Sequence, residues 1–181
     1  TSIVTGRTPA HHGIVNNILL QPERSSPDWY WQRNYIRGTT LYDEVLKQGK
    51  HVAALLWPVT AKSEITWNLP EIFANRRWTN QILTSAANGT VGYQLMLNHR
   101  FGRLRDGIRQ PALDNFVHAS LKYTLKTYRP DLTLVHFTDL DTQRHHYGVH
   151  SEEAAAAIKR HDERIGELMH LLHQNRMSVK R

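Results

Sequence analysis

Twice in this chain a helix-patterned segment is followed, after a short polar turn, by an unbroken apolar run too short to be another helix. That doubled rhythm restricts the fold more than any other feature. In the first copy Thr39 or Thr40 can cap a helix through Leu41-Tyr-Asp-Glu-Val-Leu-Lys47, with Leu41, Val45 and Leu46 on its inner face and Gly49 as its stop. His51 to Trp57 then reads as a buried strand, ended by Pro58. In the second copy Pro111 opens a helix through about Thr127, with Leu113, Phe116, Val117, Leu121 and Leu125 near the 3.6 period. Arg129-Pro130 breaks it, and Leu132 to Phe137 follows as the next strand. Strands that read as continuous apolar runs are buried on both faces, as in parallel sheets covered by helices. The expected fold is therefore α/β, a parallel-type sheet with helices on both faces.

A last long helix is expected over roughly Glu152 to Gln174, capped by Ser151 and with Glu152 and Glu153 at the positive end of its dipole. Ala155, Ile158, Ile165, Leu168, Met169 and Leu172 fall mostly on one stripe of it, while His161, His170 and His173 read as surface or packing residues. Between Asn75 and Gln110 the periodicity weakens and Gly89, Gly92, Gly102 and Gly107 interrupt it. This reads as a loop-rich excursion, a candidate substrate rim or insertion. Asn88-Gly-Thr90 matches a glycosylation sequon, a pattern common by chance.

A length of 181 residues with 40% hydrophobic content suits one globular domain over residues 1–181. No apolar run is long enough to span a membrane. The lack of any Cys excludes disulfides and thiolate ligation, so a metal must be held by His, Asp, Glu, Thr or Ser. The net charge of +7 is spread along the chain rather than gathered in a stripe. That disfavours nucleic acid as the partner and suits a small phosphate-bearing substrate. The chain starts at Thr1 without an initiator Met and stops at Met177-Ser-Val-Lys-Arg181 just after a helix, so both ends read as cut. Nothing in the sequence speaks to oligomeric state or compartment.

Chemistry concentrates in two clusters. The second strand ends abruptly in acids and imidazoles, His136-Phe-Thr-Asp-Leu-Asp-Thr-Gln-Arg-His-His-Tyr-Gly148. Ligands in open parallel sheets bind beyond the carboxyl ends of strands, which is where this loop should lie. Asp141 and His145 stand four apart, so a hard carboxylate and a borderline imidazole can meet on one cation if a single turn joins them. A core role for this loop's acids is not expected, because burying unpaired charge costs several kcal/mol. The other cluster, Val4-Thr-Gly-Arg-Thr-Pro-Ala-His-His-Gly-Ile-Val-Asn-Asn17, alone reads as a turn whose His and Asn side chains satisfy local backbone groups.

Together the clusters resemble the type I phosphodiesterase/nucleotide pyrophosphatase family of the alkaline phosphatase superfamily. Val4 to Asn17 is similar to its V-T-G-x-x-P-x-x-H-G-I-x-x-N segment, and Thr133 to Gly148 to its strand followed by D-x-x-x-H-x-Y-G. Asp28-Trp-Tyr30 and Leu56-Trp-Pro58 resemble further landmarks in the expected order. The resemblance implies an alkaline phosphatase-like fold, of which these residues form the central part of one catalytic domain. It also implies two divalent metal ions, expected to be Zn, with Asp141 and His145 as ligands of one and Asn17 holding a non-bridging phosphate oxygen. The family's nucleophile is a Thr that forms a covalent phospho-enzyme. Its matching position falls just upstream of Thr1, so Thr1 does not inherit the role, and a downstream D-H-G segment and a last His ligand would follow Arg181. Asp139 falls where the family often has an acid and is a candidate to contact substrate or orient a ligand. His146 and His150 receive no role. Trp57 and Trp67 are candidates to stack on a base or to pack on the sheet.

The implied reaction is metal-dependent hydrolysis of a phosphodiester or nucleotide pyrophosphate, the 181 residues alone being expected to be inactive. Alternatives are hydrolysis of a phosphomonoester, phosphonate or sulfate on the same core, or a non-catalytic binding module or fragment.

Overall fold

The computed structural model describes residues 1–76 and 79–174. The chain divides into two compact units, Thr1–Met96 with Pro130–His136, and Leu97–Arg129 with Phe137 onward.

The first unit holds a sheet of three parallel strands, β1 (Val52–Leu55), β2 (Trp67–Leu69) and β3 (Leu132–Val135), in the order β2-β1-β3. Ala53 stands opposite Trp67 on one side and Thr133 on the other. The central strand explains the unbroken apolar run, since all four of its residues are buried. Helices α1 (Ser2–Thr5) and α2 (Pro9–His12) precede α3 (Leu41–Lys47). Thr40 rather than Thr39 starts α3, through a reciprocal capping box in which Thr40 Oγ1 accepts from the Asp43 N–H and the Asp43 carboxylate from the Thr40 N–H. The expected inner face of α3 is off by one position. Tyr42, Val45 and Leu46 pack into a cluster with Val4, Val52, Ala54, Ile65 and Leu134, whereas Leu41 is exposed. Positions i, i+3 and i+4 share a face, and starting that series at Tyr42 buries more apolar area than starting it at Leu41. Trp57 packs on the same cluster and Trp67 stacks on His51, at 5.4 Å between ring centroids, so both tryptophans serve the sheet.

The segment expected to be loop-rich contains α4 (Gln81–Ala86) and α5 (Val91–Phe101), and Gly102 begins a short 3-10 turn. Asn80 caps α4 by accepting from the Ile82 and Leu83 N–H groups. The glycines misled because they serve other ends. A Cβ on Gly89 would lie 2.5 Å from the Asn68 carbonyl oxygen and from Pro70 Cδ, so Gly89 lets the chain pass close to the end of β2. Thr90 then ties that end, its hydroxyl accepting from the Asn68 N–H and donating to the Thr66 carbonyl. The sequon threonine is thus committed to the sheet.

The second unit is helical, with α6 (Ala112–Thr127), α7 (Asp139–Tyr147) and α8 (Glu152–Gln174). Leu113, Phe116, Val117 and Leu121 of α6 are buried, as their spacing requires. Ser151 caps α8 by accepting from the Ala154 N–H. The stripe expected to face inward on α8 does not. Ala154, Ala157, Arg164 and Leu171 are buried, while Ile158, Ile165 and Met169 are exposed. The reason lies in Arg160 and Arg164, which turn that face toward buried carboxylates of the same unit. No described helix is long and apolar enough to cross a membrane.

These burial differences give a direct check on the corrected face of α3. Tyr42→Ala should lower the unfolding free energy by about 3–5 kcal/mol and Leu41→Ala by no more than about 0.5 kcal/mol. Urea titrations with an unchanged slope would read both, and an equal loss in the two variants would contradict the packing described.

Candidate metal site

Asp139, Asp141, His145 and His146 lie on helix α7, not on a loop. That places Asp141 and His145 one turn apart on one face, with Asp141 Oδ1 3.5 Å from His145 Nε2 and the side chains 75% and 77% exposed. Oxygen and nitrogen ligands at about 2.0–2.1 Å from a tetrahedral cation stand about 3.3 Å from each other. The pair is therefore spaced to share one metal ion with little rearrangement, and its donors suit Zn. Among the described residues no group of three or more His, Asp or Glu is gathered as a fuller ligand set.

The opposite face of α7 does what the sequence argued against. Asp139 is fully buried, yet each of its oxygens is accounted for: Oδ2 accepts from Arg160 Nε at 2.7 Å, and Oδ1 from the same guanidinium at 3.1 Å and from Gln143 Nε2 at 3.0 Å. Arg164 adds its charge at 3.7 Å. Burial alone would push the Asp139 carboxyl up, but the hydrogen bonds from Arg160 and Gln143 and the two guanidinium charges outweigh it and hold the group below its ordinary 3.8. Buried and fully partnered, its side chain is not placed to touch a substrate.

Thr138 starts α7 without a side-chain cap, and a residue of α6 replaces it. Asp114, also fully buried, accepts from the Thr138 N–H at 3.1 Å and the Asp139 N–H at 3.0 Å, two of the amides that a helix leaves unpaired at its start. Gln110 bridges Asp114 and the Thr138 hydroxyl, at 2.9 and 2.7 Å. A carboxylate there also suits the positive end of the helix dipole. The sequence reading missed Asp114, Gln110, Arg160 and Arg164. Two signals were present: a lone acid among the apolar positions of α6, and two arginines four apart on α8.

In the first unit Asn17 is exposed at the base of a loop. Its carbonyl accepts from the Tyr30 N–H at 3.0 Å, and the Asn16 side chain accepts from its own N–H at 2.7 Å. Asp28 secures the same loop through Gln21, Arg24, Asn75 and Arg76. His12 is buried and local in its work, Nδ1 accepting from the Ile14 N–H and Nε2 lying 2.9 Å from Ser2 Oγ. Burial lowers its pKa, in keeping with a neutral imidazole. His146 and His150 are exposed, and His161 packs on Phe137 at 5.9 Å.

A parallel sheet with helices packed around it is an alkaline phosphatase-like arrangement. Two solved structures share the fold: phosphonoacetate hydrolase from Sinorhizobium meliloti 1021 in complex with phosphonoformate and with phosphonoacetate. Each aligns at a TM-score of 0.61 over 94% of this chain and 41% of its own, at 23% and 24% identity respectively. Residues 1–180 match the type I phosphodiesterase/nucleotide pyrophosphatase family, and the chain belongs to it. Human ectonucleotide pyrophosphatase/phosphodiesterase family member 1 is 25% identical over 179 residues, covering 93% of this chain. The chain spans 16% of the length of that curated relative.

The depressed Asp139 carboxyl has a pH signature whose sign is fixed. Its stabilising contribution is complete above the ordinary 3.8 and is lost as pH falls through the lower folded value. Asp139→Asn should cost about 3–5 kcal/mol at pH 7, because it leaves Arg160 without its counter-charge. The gap to the unaltered protein should begin to narrow as pH falls below the ordinary 3.8 and close only once pH has passed the lower folded value. Urea midpoints across that range would measure it, and a gap independent of pH would refute the assignment.

Proposed function

We propose that this chain is the central part of one catalytic domain that hydrolyses phosphodiester or nucleotide pyrophosphate bonds with the help of two divalent metal ions, most naturally Zn. The observation that carries the reading is the pair Asp141 and His145, 3.5 Å apart on one exposed helix face, in a chain of this family. Asp141 supplies a hard, negative donor and His145 a neutral borderline one, and together they hold one cation. When bound, the cations supply charge that stabilises the attacking and leaving oxygens of an in-line displacement. Asn17 donates its side-chain amide to a non-bridging phosphate oxygen, a bond that strengthens as charge builds there. The reaction runs through a phospho-threonine whose hydroxyl belongs to the complete protein, as do the remaining ligands. Two ligands are too few for a catalytic site, so these 181 residues alone are expected to be inactive.

A second reading keeps the cation pair and changes the ester. The neighbouring phosphonoacetate hydrolase was solved with phosphonate ligands, which makes a phosphonate the first competing substrate to try, ahead of phosphomonoesters and sulfates.

The test uses the complete protein and a nitrophenyl phosphodiester beside the competing esters, with and without added Zn. Asp141→Ala should lose about one equivalent of bound metal together with hydrolysis. Asn17→Ala should keep its metal and lower kcat by about 10²–10³-fold. Undiminished turnover in Asp141→Ala would sink the ligand role, and preference for the phosphonate would replace the substrate class.

A further inference from the structure

Helix α7 carries two pairs with the same four-residue spacing on opposite faces. Asp141 and His145 meet solvent. Asp139 and Gln143 start two residues earlier, hence about 200° round the helix, and are buried. The buried pair is held from two other helices. Asp114 of α6 takes the first amides of α7. Arg160 of α8 grips Asp139 with two parallel N–H bonds, and Gln143 bonds Asp139 from one turn further along.

Each of these contacts removes a different freedom. Amides bound by Asp114 fix how far α7 can slide along its axis, because a slide of one residue would present the wrong N–H groups. The planar fork of Arg160 fixes rotation, because two bonds to one carboxylate hold in only one relative orientation. An apolar contact would anchor the helix without either restraint. A rotation by one residue, about 100°, would carry Asp141 and His145 away from the direction they now share.

We propose that Asp114, Asp139 and Arg160 form a positioning network that sets the depth and rotation of α7, so that Asp141 and His145 are presented together to one cation that none of the three touches. The proposal rests on the reading of Asp141 and His145 as ligands. It assigns to an arginine fifteen residues beyond His145, and to an acid in another helix, a share in metal affinity.

The experiment uses the complete protein. Zn affinity is measured by competition with a chromophoric chelator, ligand geometry from the visible spectrum of the Co(II)-substituted protein, and stability from urea unfolding of the metal-free form. Arg160→Lys keeps the charge but loses the fork, and should weaken Zn binding about 10–100-fold with a changed Co(II) spectrum. Gln143→Met, a milder change of similar size, should move both readouts in the same direction by less. Arg33→Lys, which breaks the Arg33–Asp43 pair of the other unit, should leave affinity and spectrum unaltered whatever it costs in stability. If Arg160→Lys and Gln143→Met bind Zn like the unaltered protein, or no worse than Arg33→Lys does, while Asp141→Ala still strips the metal, the positioning role is wrong and the ligand reading stands. If Asp141→Ala keeps full affinity, the ligand reading falls and takes the positioning role with it.

Discussion

Two carboxylates, Asp114 and Asp139, and the guanidinium of Arg164 are withdrawn from water in the second unit, with half-buried Arg160 beside them, and the placement of helix α7 follows from how they are satisfied. Burying one unpaired charge costs several kcal/mol, so such a cluster persists only when each polar atom finds a partner. Here the accounting closes on the carboxylates. Asp114 oxygens accept from Gln110, Thr138 and Asp139, and Asp139 oxygens from Arg160 and Gln143. Arg164 completes its own set on Asn115 at 2.9 Å. The arrangement also decides which side of α8 is inside. Arg160 and Arg164 must face the acids, and Ile158, Ile165 and Met169 are turned outward as a result.

Ligands on a helix differ in kind from ligands on a loop. On a loop, Asp141 and His145 would have to surrender backbone freedom when a cation arrives, at about 1–2 kcal/mol per residue ordered. On α7 that ordering is already complete, and the 3.6-residue period alone brings the two side chains to 3.5 Å. The helix has little intrinsic claim to form. It lacks a cap of its own and an apolar stripe, and it owes its start to Asp114 and its anchorage to Arg160. Local sequence therefore sets the spacing of the donors, while tertiary contacts decide that the spacing is realised.

The legible parts of this chain were those in which one local rule acts unopposed. The four buried residues of β1, the Thr40 cap and the inner face of α6 follow from run length, capping chemistry and period. So does the Asp141–His145 spacing, which needed only the assumption of a single turn. Leu41 and the stripe of α8 were misread for the same physical reason: an apolar residue one position off the favoured face looks equivalent in sequence, and only its neighbours across the interface decide. Asp139 and Asp114 were invisible as buried residues because an acid reads as exposed until its partner is known, and their partners lie 21 to 50 positions away in Arg160 and Arg164. Gly89 failed differently, as a glycine required by close approach carries the same letter as one that ends a helix.

The charge balance of the network matters for the chemistry proposed beside it. Two acids against two arginines sum to zero, so the anchor of α7 adds little net field where Asp141 and His145 meet solvent. On the proposed reading, Asp141 would bring one negative charge to a divalent cation shared with the His145 imidazole. A cation held by this pair keeps positive charge, which is what a phosphate ester needs to meet. Had Asp139 been unpaired, its charge would have lain two residues from Asp141 and worked against an anionic substrate. Pairing it in the interior lets one short helix use one acid as an anchor while leaving Asp141 free for the proposed ligand role, without the first weakening the second.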